Sequence, residues 1–292
     1  MKHRSYKKIF FIPVVFLFIN ASPYDAPKFV TLPDREAKFP IHGKIEKVSR
    51  YEDISEAPIS IRESNYWSVV TFKEAGFYGL TVTENGQRQF YSIFVSPIPT
   101  IHADKAVEEI NWYQTQFNSG TLSNCGPASA AMAISWSTGR YFSTAMVRDA
   151  VGWKGDGATS FEDLIKVIKT KNDTAKIVPL KRFDQIKNVI DSGGIAIVVF
   201  KTDGVASNKK NPEKFFFDKY YVDNVGHYII VKGYSKDGEY LVVNDPIPSD
   251  WYENKFRHSD GISMIGKNRY YKTSELLSSL RRNDMIAVMR NR

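Results

Sequence analysis

Apolar and polar positions alternate with two different periods along the chain. Between residues 41 and 97 the period is that of strands. Trp67-Ser-Val-Val-Thr-Phe72 alternates in part, and Gly76-Phe-Tyr-Gly-Leu-Thr-Val82 and Gln89-Phe-Tyr-Ser-Ile-Phe-Val95 flank a Glu84-Asn-Gly86 turn. Asn-Gly between two such runs predicts a hairpin, because both residues tolerate the positive φ a tight hairpin turn needs. Residues 23–40 are rich in proline and charge and read as an extended entry segment. Pro97-Ile-Pro99 then interrupts the strand pattern.

Beyond the prolines the pattern turns partly helical. Ala103–Tyr113 reads as helical or mixed. Cys125–Thr138 reads as a helix, since Pro127 suits its first turn and its alanines favour helix and close packing. A second helix is predicted over Ser160–Thr170, capped by Thr159 or Ser160, and a third over Asp184–Ser192, ended by Gly193-Gly194. Strands follow at Ile195–Phe200, Tyr228–Tyr234 and Glu239–Asn244, the last two joined by a Lys236-Asp-Gly238 turn. Lys272–Leu280 reads as a last helix and Met285–Met289 as a last strand.

Helices followed by an antiparallel meander give an α+β class. The division expected is residues 23–100 as a small β-rich domain and 101–292 as the α+β domain. The Gly-x-Tyr-x-Leu-x-Val pattern at Gly76–Val82 resembles the corner strand of immunoglobulin-like sandwiches, which implies such a sandwich for the first domain. Residues 1–21 hold a basic start and a short apolar run, Ile9–Ile19, and read as a secretory signal peptide cleaved after Ala21. Export to the periplasm, cell surface or medium is expected; an uncleaved membrane anchor is the alternative. No second apolar span is present.

The formal net charge of +8 favours anionic partners. The basic residues are scattered, however, without a helix-turn-helix, RRM or zinc-finger pattern, so nucleic-acid binding is not expected. No His/Cys/Asp cluster has metal-ligand spacing, and neither metal nor other cofactor is expected. Cys125 is the only cysteine among 292 residues. It cannot form an internal disulfide, which leaves a buried bystander, an intermolecular bridge or a reactive thiol.

The position of Cys125 bears on that choice. At a helix N-terminus, unpaired amides and the helix dipole stabilise a thiolate. Gly126 behind it leaves space for a substrate backbone. A thiolate nucleophile needs a base, usually histidine, and a group to orient it. Of five histidines, His227 opens an apolar strand, with Gly226 before it leaving room. The Lys236–Gly238 turn returns the chain so that Asn244 or Asp245 ends near His227. Asp245 is the candidate to hold the imidazole, with Asn244 as its substitute.

Gln-x8-Cys-Gly-Pro-Ala-Ser-Ala-Ala-Met, then Gly-His-Tyr-Ile-Ile-Val-Lys-Gly-Tyr, then Val-Asn-Asp-Pro occur in that order. Together with Gly157-Ala-Thr-Ser-Phe-Glu-Asp-Leu164 and the tail Tyr270–Leu277, they resemble the C39-like cysteine peptidase family over about residues 105–290. The resemblance implies a papain-like fold, with Cys125 as nucleophile, His227 as base and Asp245 as orienting acid. It also implies an oxyanion-hole glutamine preceding the cysteine. Gln114 and Gln116 both qualify, and Gln116 is nearer the usual spacing. An exported thiol hydrolase acting on peptide or protein amides is the reading that follows. The alternatives are a catalytically silent binding or adhesion protein of the same fold, and an acyltransferase or amidase. Lys201–Val225, long, basic and aromatic, reads either as a substrate loop or as an excursion whose aromatics pack on the core.

Overall fold

A computed structural model of the chain describes residues 29–290 except 41–42, 51–58, 64–66, 85, 104–111, 120–122, 153–156, 158, 210–215 and 248–264. The expected signal segment, His42, His258 and most of the stretch Ala103–Tyr113 therefore lie outside the described residues. Trp112 and Tyr113, at the end of that stretch, are not helical.

The first part of the chain supplies strands β1 (Phe29–Thr31), β2 (Arg35–Pro40), β3 (Gly43–Arg50), β4 (Ile59–Glu63), β5 (Trp67–Phe72), β6 (Gly76–Glu84) and β7 (Gln87–Val95). The proline-rich entry segment thus includes two strands rather than only extended chain. Among the described residues these strands form a sheet of order β1-β7-β6-β3 and a second of order β2-β5-β4. β6 and β7 are the predicted hairpin, paired antiparallel with Gly86 at φ 77° in the turn. Val70 and Phe72 of β5 meet Tyr78, Leu80, Val82 and Ile93 of the hairpin in one apolar cluster between the sheets.

Side chains on a strand alternate between faces. Phe77 and Phe94, out of step with that cluster, point away from it. They join Phe216, Val242 and Tyr270 from the second part of the chain. Phe216 lies 5.4 Å from Phe94 and 5.9 Å from Phe77, ring centre to ring centre. Phe216 of the 201–225 segment is therefore packed on the core and joins the two parts across the Pro97–Pro99 break. Burial of this size makes Phe216→Ala costly, by about 3–5 kcal/mol. Urea unfolding should show that loss at an unchanged slope. A loss below about 1 kcal/mol would mean that the ring is a surface feature.

The second part begins with β8 (Thr100–His102) and continues through α1 (Cys125–Thr138), α2 (Thr144–Val151), α3 (Phe161–Lys171), β9 (Lys176–Pro179) and α4 (Phe183–Asp191). It ends with β10 (Gly194–Lys201), β11 (Gly226–Ser235), β12 (Tyr240–Asn244), β13 (Arg269–Lys272), α5 (Thr273–Ser278) and β14 (Asp284–Met289). The described strands make an antiparallel sheet of order β13-β12-β11-β10-β14-β9, with β8 added alongside the far half of β11. This is the expected α+β arrangement, with the cysteine-bearing helix packed on an antiparallel sheet.

Strand parity sorts the core. Ile195, Ile197, Val199, Tyr228 and Ile230 face α1 and α3. Ala196, Val198, Phe200, Ile229 and Val231 face Ile186 and Ile190 of α4 on the other side. α1 is buried from Gly126 through Ser137, as its near-continuous run of small and apolar residues requires. Among the described residues no helix is long and apolar enough to cross a membrane.

Candidate active site

Cys125 is the first residue of α1, where the helix leaves its leading amides unpaired. It is half-buried and in contact with the cluster beneath α1. Gly126 lines the cavity beside Cys125 and also serves packing. A Cβ there would come 3.2 Å from Leu164 and 3.4 Å from Tyr228, so the glycine lets α1 approach α3 and β11 closely. This close approach sets the thiol against the start of β11.

His227 stands on β11, opposite Phe200 of β10. It is buried, and its ring packs edge-on to Phe200 and to Tyr221. The Ser235–Gly238 turn brings β12 back antiparallel to β11, pairing Ile230 with Asn244. Leu241 and Val243 share the face of Ile229 and Val231. By the same parity His227 and Asp245 share that face and Asn244 takes the other. Asn244 accepts a hydrogen bond from the Asn268 amide instead. His227 Nε2 lies 2.8 Å from Asp245 Oδ1.

Asp245 is fully buried and heavily supported. Its Oδ1 also accepts the Ile247 amide at 2.9 Å, and its Oδ2 accepts the hydroxyls of Tyr221 at 2.9 Å and Tyr271 at 2.6 Å. Its backbone carbonyl accepts the Tyr113 hydroxyl at 2.7 Å. Burial and the neighbouring Asp245 charge raise the pKa of both Tyr221 and Tyr271, so the two phenols remain neutral donors. Burial acts to protonate Asp245. The His227 charge, its hydrogen bond, and the bonds from Tyr271 and Ile247 overcome that and hold the carboxyl below its ordinary value.

The thiol and imidazole are coupled in the same way. Burial opposes a thiolate at Cys125, but the His227 hydrogen bond and charge, with amides of Tyr228 and Gly126, bring the thiol below its ordinary value. Burial likewise lowers the His227 pKa. The Asp245 charge and hydrogen bond, together with Cys125, raise it to about 10. Each of the two groups therefore favours the charged form of the other. Because Nε2 is taken by Asp245, Nδ1 is the ring nitrogen left for the thiol.

The two glutamines separate clearly. Gln114 donates to the Phe142 carbonyl at 2.6 Å and accepts the Thr144 amide at 3.1 Å, which ties α1 to α2. Gln116 lines the cavity beside Cys125. Its amide donates to the Pro246 carbonyl at 2.8 Å, and Asn124 Nδ2 donates to its carbonyl at 3.0 Å. These bonds fasten the Gln116 backbone to both the cysteine side and the aspartate side of the site. The cavity measures about 480 Å³ and is walled by Val199, Val225, Tyr228 and Ile247. Cys125 and His227 lie on its lining, and Asp245 lies behind His227.

Sequence reading left out the groups that hold Asp245. Tyr221 sits in the aromatic run of the 201–225 segment and Tyr271 on β13. Arg269, one strand position before Tyr270, is wholly buried and donates to the carbonyls of Phe217 and Asp218. That contact fixes the segment carrying Tyr220 and Tyr221. A Tyr-rich stretch next to a Tyr-Tyr strand was the available signal, but their meeting at one carboxylate depends on the fold.

The sequence matches the model of the Peptidase_C39 like family over residues 106–276. Among solved structures it is similar to a protein from Bacillus anthracis described as a C39-like peptidase, at 14% identity and a TM-score of 0.35, covering 62% of this chain and 96% of that one. It is also similar to xylellain, a cysteine protease from Xylella fastidiosa, at 12% identity and a TM-score of 0.42, covering 66% of this chain and 87% of that one. A search of curated proteins returns no match.

Proposed function

The chain belongs to the Peptidase_C39 like family, and from that membership we propose that it is an exported thiol hydrolase cleaving peptide amides through Cys125, His227 and Asp245. One observation carries the proposal. A half-buried thiol and an imidazole line the same cavity, and Nε2 of that imidazole is 2.8 Å from a fully buried carboxylate.

In this reading the Cys125 thiolate attacks the carbonyl carbon of a bound amide. The developing oxyanion is received by the Cys125 backbone N–H and the Gln116 side chain. His227, protonated, gives its proton to the leaving nitrogen, so the C–N bond breaks and an acyl-thioester remains. Water then attacks the thioester carbonyl, giving a proton to the now neutral His227. Collapse releases the acid and restores the imidazolium-thiolate pair. Asp245 keeps the ring turned and favours its charged form, while Tyr221 and Tyr271 hold Asp245.

Export rests on the basic start and apolar run of residues 1–21. The two facing sheets of residues 29–95 are read as an immunoglobulin-like sandwich serving as an adaptor, supported by the shared cluster of Val70, Phe72, Leu80 and Ile93. The α+β part, with the helix bearing Cys125 lying on a sheet that carries His227, is read as papain-like.

The test is the pH dependence of Cys125 alkylation by iodoacetamide, read by mass spectrometry. The midpoint should fall clearly below the value of about 8.5 for a free thiol, and His227→Ala should move it up. A free-thiol profile in the wild type would overturn the proposal. It would favour a silent protein of the same fold.

A further inference from the structure

The cavity over Cys125 contains two neighbouring arginines with different surroundings. Arg282 is occupied: its guanidinium lies 4.5 Å from the Phe161 ring centre and pairs with Glu162 at 3.1 Å and Asp284 at 2.8 Å. Arg281 is exposed, and among the described residues no carboxylate pairs with it. Its backbone amide donates to the Val199 carbonyl at 3.0 Å, which fixes the start of the side chain on the cavity wall. The guanidinium lies over Gly226, where an added Cβ would collide with Nη1 and approach Cζ to 3.2 Å. The room that Gly226 leaves beside His227 is thus used by Arg281.

Among the described residues no acidic side chain lines this cavity. The cavity wall also includes the apolar side chains Val199, Val225 and Ile247. A cation beside such a surface and next to the reacting groups attracts an anion more strongly than one in open water. The planar guanidinium suits a carboxylate in particular, because it offers two parallel N–H donors. The formal charge of the chain, +8 in full and still positive (8 − 4 = +4) once Lys2, Arg4, Lys7 and Lys8 leave with residues 1–21, assists the approach of such a group.

We propose that Arg281 is a recognition site for a carboxylate of the substrate, so that the cavity selects peptides bearing an acid close to the bond cleaved. The inference rests on the peptidase reading above and adds a substrate class to it. The carboxylate belongs either to an aspartate or glutamate side chain or to the peptide's own C-terminus.

Matched peptide libraries separate these cases. One pair of libraries differs only in Glu against Gln at each position around the cut; a second differs only in a free or amidated C-terminus. Cleavage by the full chain is followed by mass spectrometry. The acid-bearing member of at least one pair should be cleaved with a kcat/KM roughly tenfold to hundredfold higher, the size of a hydrogen bond to a charged group. Preference within the first pair identifies a side-chain acid, and within the second the terminus. Arg281→Gln should bring the ratio to about one, Arg281→Lys should retain part of it, and Arg281→Glu should turn it in favour of a Lys-bearing peptide. Thermal melts of the variants check that an exposed substitution leaves the fold intact. Cleavage without preference in either pair, or a ratio unchanged in Arg281→Gln, overturns the carboxylate site and leaves the peptidase reading standing. No cleavage of any peptide by the wild type removes the peptidase reading, and this inference with it.

Discussion

Cys125→Ala is expected to reduce peptide hydrolysis by about ten-thousandfold or more while changing stability by about 1 kcal/mol or less. The catalytic loss follows from the chemistry, because alanine offers no nucleophile and no acyl-enzyme can form. The small stability change follows from the position. Cys125 is half-buried at the first residue of α1, and the helix is anchored by the buried residues after it, Gly126 through Ser137. Hydrolysis of a cleavable peptide and a thermal melt, measured on the same preparation, decide the matter. Residual turnover near wild type would remove Cys125 as nucleophile. A collapse of the melt would assign the sulfur to the core.

Much of this arrangement could be read from the sequence because the relevant signals are local. Pro127 and the alanines delimit α1, and the described helix spans Cys125–Thr138 as expected. The Lys236–Gly238 turn fixes which residues of β11 and β12 lie opposite each other, and strand parity then puts Asp245 rather than Asn244 on the His227 face. Other parts depend on distant partners. α2 is short and buries only Thr144 and Val147, so its apolar pattern is weak. β9 has no fully buried residue and exists as the antiparallel partner of β14. Gln114 and Gln116 have the same side-chain chemistry and differ in what the fold supplies around them, Phe142 and Thr144 for one and the Cys125 cavity for the other. Phe216 and Tyr221 belong to a run whose partners, Phe94 and Asp245, lie far away in sequence.

Asp245→Asn should lower kcat by roughly a hundredfold to ten-thousandfold with the protein still folded. The amide keeps the shape of the carboxylate and can still accept from one tyrosine hydroxyl, but the charge is lost. Against burial, that charge is the leading influence that raises the His227 pKa, so the substitution lowers it. A less charged imidazole in turn stabilises the thiolate less, and the Cys125 pKa rises. The wild-type pH profile climbs as the thiolate forms and falls as the imidazolium loses its proton. Both limbs therefore move inward in the variant, and the bell narrows from each side. Asp245→Ala goes further. It leaves His227, the Tyr221 and Tyr271 hydroxyls and the Ile247 amide without their shared acceptor. Stability should fall by about 3–5 kcal/mol, as for other buried ionic networks that lose one member. Asn244→Ala removes the acceptor of the Asn268 amide and should lower stability without narrowing the profile. The alternative outcome is equally distinct. If the profile of Asp245→Asn keeps its width and Asn244→Ala narrows its own, Asn244 orients the imidazole, and Asp245 acts only as an acceptor for the tyrosines around it.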